Sequence, residues 1–145
     1  MQRIVKSVEY DYAKMQKIID ALCCRNECLQ QFCIGKSCAG RDITAIKIGE
    51  SDEYVLLAAA FHGSEHITSN ILLMFMEEYA YAYGKGCSLA GINIKKALGG
   101  RGVIFVPRVN PDGCEISING AIGCGNLSGE IYKICKGDFA HYNAN

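Results

Sequence analysis

The feature that most constrains this chain is an unbroken run of eight apolar residues, Tyr54 to Phe61, that passes directly into His62-Gly63-Ser64-Glu65-His66. The run is far short of the roughly 20 residues needed to span a bilayer. It reads as a strand buried on both faces, the kind found inside parallel or mixed sheets. From His66 to Tyr83 the period changes to that of a helix, with Ile67, Ile71, Met74, Phe75 and Tyr79 on one side, and Gly84 and Gly86 end it. A buried strand, a polar turn and an amphipathic helix form the unit of an α/β sheet, and such sheets place their sites at strand ends.

The flanking sequence extends this unit. Asp11 to Cys24 carries Tyr12, Met15, Ile18, Ile19 and Leu22 at helical spacing. Ile43, Ala45, Ile46 and Ile48 then read as a strand, joined through Gly49-Glu50-Ser51-Asp52 to the Tyr54 run, so that the two strands are expected to be neighbours. A short helix around Asn93 to Leu98 leads through Gly99-Gly100-Arg101-Gly102 into a third buried strand, Val103 to Val106. The order is α-β-β-α-α-β. After Asn110-Pro111-Asp112-Gly113, read as a turn, the stretch Cys114 to Ala121 alternates weakly, and residues 122–145 lose periodicity and read as loop. There is no internal repeat or interdomain linker, so a single core is expected.

Charge narrows the function classes. Fifteen basic and fifteen acidic residues in 145 give a formal net charge of zero. That argues against holding nucleic acid or an anionic membrane by bulk charge. No apolar segment is long enough to cross a membrane, and the N-terminus lacks the apolar region of a secretory signal, so a cytoplasmic chain is expected. The nine cysteines are odd in number, and without a signal they read as reduced thiols serving as small hydrophobes. The five between Cys23 and Cys38 contain no Cys-x-x-Cys pair and so do not spell a metal cluster.

Two glycine groups do not complete a phosphate motif. Gly35-Lys36-Ser37 lacks the first glycine of a phosphate loop, where Gln30 stands. Gly123-Cys124-Gly125-Asn126-Leu127-Ser128-Gly129 misses the dinucleotide spacing by one residue and follows no strand. The chemistry lies at His62 to His66, where an imidazole and a carboxylate three residues apart across a turn can converge on one cation, and zinc accepts both nitrogen and oxygen donors. The same letters spell H-x-x-E-H, whose two histidines bind zinc from one helical face. Here His62 belongs to a strand and turn, so it is not expected to share a face with His66.

Three pieces in order, Ile34-Gly35-Lys36-Ser37-Cys38-Ala39-Gly40-Arg41-Asp42-Ile43, Phe61-His62-Gly63-Ser64-Glu65-His66-Ile67-Thr68 and Val106-Pro107-Arg108-Val109-Asn110-Pro111-Asp112-Gly113, resemble the zinc carboxypeptidase family of carboxypeptidase A-like metallopeptidases. The closing Asp138 to Asn145 is similar to the stretch that leads into the G-V-D-L-N-R-N segment of bacterial members acting on cell-wall peptides, γ-D-glutamyl-diaminopimelate-type peptidases, with Tyr142 and Asn143 where those tend to have tryptophan and lysine.

The resemblance implies an α/β fold, a mixed β-sheet flanked by helices on both faces, here incomplete at the C-terminal side, with residues 1–145 as the N-terminal part of a single catalytic domain. It implies that His62 and Glu65 are the first two zinc ligands and that Arg41 lines a substrate subsite. It implies a peptide substrate, with cell-wall stem peptides favoured. In the family the metal polarises the scissile carbonyl and activates water, a later glutamate shuttles protons, and arginines grip the substrate carboxylate. Those later groups and the third ligand, a histidine, have no match in this sequence; His141 lies in the stretch before them and is not taken as a ligand. The chain is therefore expected to be a truncated enzyme, inactive alone, that self-associates through an exposed sheet edge. The alternative is a non-catalytic remnant serving as a binding or interaction domain.

Overall fold

The computed structural model describes residues 2–135. Asp11 opens the first helix by accepting a hydrogen bond from the Lys14 amide at 2.8 Å, so α1 (Tyr12–Arg25) starts where its apolar period starts. The same bond holds the Asp11 carboxyl below its ordinary pKa. The helix ends at Asn26, whose backbone and side-chain N–H groups both reach the Leu22 carbonyl.

Then follow β1 (Leu29–Lys36), β2 (Asp42–Ile48), β3 (Tyr54–Ala58), a 3₁₀ turn (Gly63–Glu65), α2 (Ile67–Lys85), a minimal hairpin of β4 (Ser88–Leu89) and β5 (Ile92–Asn93), α3 (Ile94–Leu98), β6 (Gly102–Val106), α4 (Pro111–Asn119), a 3₁₀ segment (Ala121–Leu127) and α5 (Ser128–Cys135). The main sheet has the order β1-β2-β6-β3. Its β1–β2 and β2–β6 pairs are antiparallel and β6–β3 is parallel, so the sheet is mixed, as expected.

Register sorts the side chains into two faces. Ile46 opposes Phe105 and Ile48 opposes Val103, and on β3 Leu57 opposes Phe105. This face meets α1 through Met15, Ile19 and Leu22 and α2 through Leu73, Met76 and Tyr79. The Tyr79 ring stands edge-on to Phe105 at 5.7 Å, and Phe75 lies 6.3 Å from the same ring.

Four expectations need correction. Residues 122–135, which read as loop, form the 3₁₀ segment and α5. The strands β2 and β3 are not neighbours, because β6 lies between them: a helix-bearing connection lets β6 run parallel to β3, and β2 pairs with its other edge. The strand β3 is not buried on both faces, since Val55 is 43% and Leu56 is 62% exposed. The apolar side of α2 is buried only in part, at Tyr79, which is 6% exposed, and at Met74, which packs against the core. Ile67, Ile71 and Phe75 are exposed at 51%, 60% and 40%, while polar Ser69, Asn70 and Glu77 are buried.

The reason lies at the N-terminus, which runs along α2. Glu77 accepts hydrogen bonds from the Ile4 and Val5 amides at 2.6 and 3.1 Å and from the Arg25 guanidinium, and Asn70 donates to the Val8 carbonyl. A buried carboxylate with these partners outweighs helical periodicity in setting which side faces inward.

Candidate metal centre

At its C-terminal end β3 is continued by backbone bonds to the chain after β6. The Ala59 amide donates to Val106, and the Val109 and Asn110 amides donate to Ala59 and Ala60, each at 3.0 Å. Ala60 then takes a left-handed φ of 53°, uncommon for a residue with a Cβ, and this turns the chain out of the sheet ahead of His62. The Glu65 amide donates to the His62 carbonyl at 3.1 Å and closes the 3₁₀ turn. The turn is pinned by Thr68, whose hydroxyl donates to the Glu65 carbonyl at 2.7 Å and accepts from the Ala60 amide at 2.9 Å.

The fold therefore brings His62, half-buried, and Glu65, exposed, to the two ends of one turn at a strand end. His62 keeps extended backbone as the residue before the turn, and Glu65 ends it. His66 faces elsewhere: it precedes α2, and its Nε2 lies 3.6 Å from the Glu9 carboxylate.

The second and third motif pieces meet here. Asn110 caps α4 by accepting from the Gly113 amide at 2.8 Å, and Pro111 follows at a position where its missing N–H costs nothing. Asn110-Pro111-Asp112-Gly113 is thus a helix start, and the sequence signal was the ordered series of cap residue, proline and acid. A Cβ placed on Gly63 would fall 2.3 Å from the Gly113 carbonyl oxygen. Only a glycine at 63 lets the turn lie against α4.

Asp112 joins the first piece to the other two. Its carboxylate accepts from the Arg41 guanidinium at 2.6 Å, the Ser37 hydroxyl at 2.8 Å and the Ala39 amide at 2.7 Å. Arg41 also donates to the Gly123 carbonyl and lies over the Tyr12 ring at 5.8 Å. Its guanidinium is thus engaged within the protein, where it forms part of the wall of a cavity of about 500 Å³ with Cys38, Ile122, Cys124 and Asn126. The turn from Ser37 to Gly40 is this cradle for Asp112.

Behind the turn sits Arg108, 2% exposed, donating to Ser69 at 3.2 Å and to the Tyr10 carbonyl at 2.9 Å, with Glu115 at 3.8 Å. Burial lowers its pKa. Burial likewise pushes the Cys114 thiol up to about 11. Asp112 and Arg108 were not singled out from the sequence, since both look like ordinary surface charges until the chain is folded.

Among the described residues no third His, Cys, Asp or Glu joins His62 and Glu65 in a metal-holding group. The donor set that is present, one imidazole and one carboxylate, fits zinc in type and falls short of it in number. Among the described residues the cysteines from Cys23 to Cys124 are free thiols. His141 and the stretch Asp138 to Asn145 lie outside the described residues.

The sequence profile of the zinc carboxypeptidase family matches residues 16–130. The chain is 32% identical over 111 residues to gamma-D-glutamyl-L-diamino acid endopeptidase 1 of Lysinibacillus sphaericus, covering 77% of this chain and 28% of that protein. It is 31% identical over 91 residues to a zinc carboxypeptidase of Saccharothrix mutabilis subsp. capreolus, covering 59% and 20%. Among solved structures, bovine thrombin-activatable fibrinolysis inhibitor in complex with tick carboxypeptidase inhibitor superposes with a TM-score of 0.64 at 18% identity, over 78% of this chain and 35% of that one. Carboxypeptidase A of Helicoverpa armigera gives 0.59 at 20% identity, over 81% and 28%. The chain spans about a third or less of the length of these relatives. No described helix is long and apolar enough to cross a membrane. With the matched profile spanning most of its length and the mixed sheet superposing on carboxypeptidases, this chain belongs to the zinc carboxypeptidase family of metallopeptidases.

Proposed function

We propose that residues 1–145 supply the N-terminal part of a metallocarboxypeptidase catalytic domain that hydrolyses peptide amide bonds, with His62 and Glu65 as two of its zinc donors. The observation that supports this reading is the placement of both residues on one pinned turn at the C-terminal end of β3. His62 and Glu65 are the residues of this chain that would hold a zinc ion, which would supply polarisation of a scissile carbonyl and a lowered pKa for bound water. His62 offers a ring nitrogen, and Glu65 an oxygen that compensates part of the cation's charge. Gly63 against Gly113 keeps the turn seated, and Arg41 lines the substrate side by holding the wall of its cavity. The likeness to a γ-D-glutamyl-L-diamino acid endopeptidase favours cell-wall stem peptides as substrate.

With two donors the chain alone binds zinc weakly and does not turn over substrate, since working sites use three or four protein ligands. The test is zinc titration of the reduced chain beside His62→Ala and Glu65→Ala, with a γ-glutamyl dipeptide assay on each. The expected result is weak stoichiometric zinc lost in both variants and no hydrolysis. Zinc that survives both substitutions and disappears on thiol alkylation would overturn the assignment and leave a non-catalytic binding domain. Chelator-sensitive hydrolysis by the 145-residue chain would overturn its incompleteness.

A further inference from the structure

We infer, on the reading of His62 and Glu65 as zinc donors, that Arg108 is a positioning residue: it holds together the two ends of the segment that carries their turn. That segment runs from Ala60, where the chain leaves the sheet, to Ser69 in the first turn of α2. Its start is fixed by the two residues after Arg108, since the Val109 and Asn110 amides donate to the Ala59 and Ala60 carbonyls. Its end is fixed by Arg108 itself, whose Nε donates to the Ser69 hydroxyl at 3.2 Å. The Ser69 amide donates in turn to the His66 carbonyl at 3.1 Å.

Thr68 closes the segment on itself through Glu65 and Ala60. Arg108 instead fastens it to the rest of the molecule: its Nη2 donates to the Tyr10 carbonyl at 2.9 Å, just ahead of α1, from the same planar group that holds Ser69. These groups are internal. Arg108 is 2%, Ser69 0% and Tyr10 6% exposed, so nothing in the arrangement depends on what covers the surface.

A guanidinium is an unfavourable way to fill this space. Its Nη1 is buried with no hydrogen-bond acceptor among the described residues, and the Glu115 carboxylate stands 3.8 Å away. That carboxylate is already engaged by the Tyr12 amide at 2.5 Å and the Asn119 side-chain amide at 3.0 Å. An incompletely paired buried cation lowers stability, and an apolar side chain of similar volume in its place is often neutral or stabilising. What a guanidinium supplies and an apolar chain does not is direction: two bonds from one rigid fork, to α2 and to the N-terminal arm. Groups that orient metal ligands from behind change metal affinity by roughly 10–100-fold when removed.

Arg108→Met keeps a long side chain and removes the donors. In the reduced 145-residue chain, amide exchange at Glu65 and Ser69 should quicken about 10-fold, the equivalent of one lost hydrogen bond, while the melting temperature stays within about 4 °C of the parent. The zinc dissociation constant, read by titration, should rise about 10-fold or more. Ser69→Ala should reproduce both effects, and the double variant should add little, because both substitutions remove the same bond. Arg108→Lys, which keeps a donor, should return part of the loss. Unchanged exchange at Glu65, or effects that add in the double variant, overturn the proposal. So does zinc that binds more tightly, since the charge would then act on the metal directly, and so does faster exchange spread over the whole chain, which marks general stability. If zinc binding by the parent is untouched by His62→Ala, the donor assignment fails, and exchange at Glu65 still decides whether Arg108 holds the turn.

Discussion

Among the described residues β1 and β3 are the two outer strands of the same sheet, and they are finished differently. β1 carries its share of exposed apolar side chains, with Phe32 at 40% and Ile34 at 53%. It also carries a register shift between Cys33 and Gly35, two consecutive glutamines and a terminal Lys36 paired with Asp42. One glutamine, Gln31, bonds Asp20 of α1 at 2.9 Å, so a helix lies beside that edge. β3 has comparable apolar exposure and none of these devices. Among the described residues the two edges therefore differ in backbone regularity and charge rather than in the amount of apolar surface.

The largest effect that sharpens this contrast lies at two glycines. Gly63→Ala, at the end of β3, forces a methyl into the Gly113 carbonyl and should cost about 3 kcal/mol or more, together with the seating of the His62–Glu65 turn. Gly35→Ala, in the irregular part of β1, meets open space and should stay within about 0.5 kcal/mol. Urea denaturation of the two variants side by side measures the difference, and equal losses would break the comparison.

A smaller effect is expected at Asp112, whose side chain is 15% exposed and which holds the β1–β2 turn to α4 through three donors. Asp112→Ala should cost about 2 kcal/mol, since it strands a half-buried guanidinium. Amide exchange should quicken at Ala39 and stay unchanged in β3. Faster exchange in both strands would mean that the two edges are not independently held.

The smallest effect is a pH dependence. Burial pushes the thiols of Cys23 and Cys114 up to about 11 in the folded chain. A raised acid pKa means that the folded state holds the proton more tightly. Stability should therefore be complete below the ordinary thiol value, about 8.5, and fall as pH rises through it toward 11. Cys114→Ala should flatten this alkaline limb in thermal melts, and an unchanged limb would break this account.

Much of the fold was legible in the residues. The helix after Asp11, the strand after Arg41, the Val103 strand and the helix from Ile67 all follow from period and caps, and they stand where the pattern puts them. The strand β1 was hidden, because Gln30, Gln31 and Gly35 break any alternation and its pairing with β2 is long-range. So was α4, whose short apolar series resembles a strand until Asn110 is seen capping it.

The site divides along the same line. By itself the sequence determined local chemistry: an imidazole and a carboxylate three apart after a buried run, a glycine between them, and the family they resemble. Tertiary structure alone decided that Gly63 rests on Gly113, that Asp112 occupies Arg41, that β6 separates β2 from β3, and that Ile67 and Ile71 of α2 face outward while Tyr79 packs on the sheet. Period and capping act over three or four residues, whereas these outcomes depend on which distant backbone and charge arrive at the same point, and one sequence states no distances.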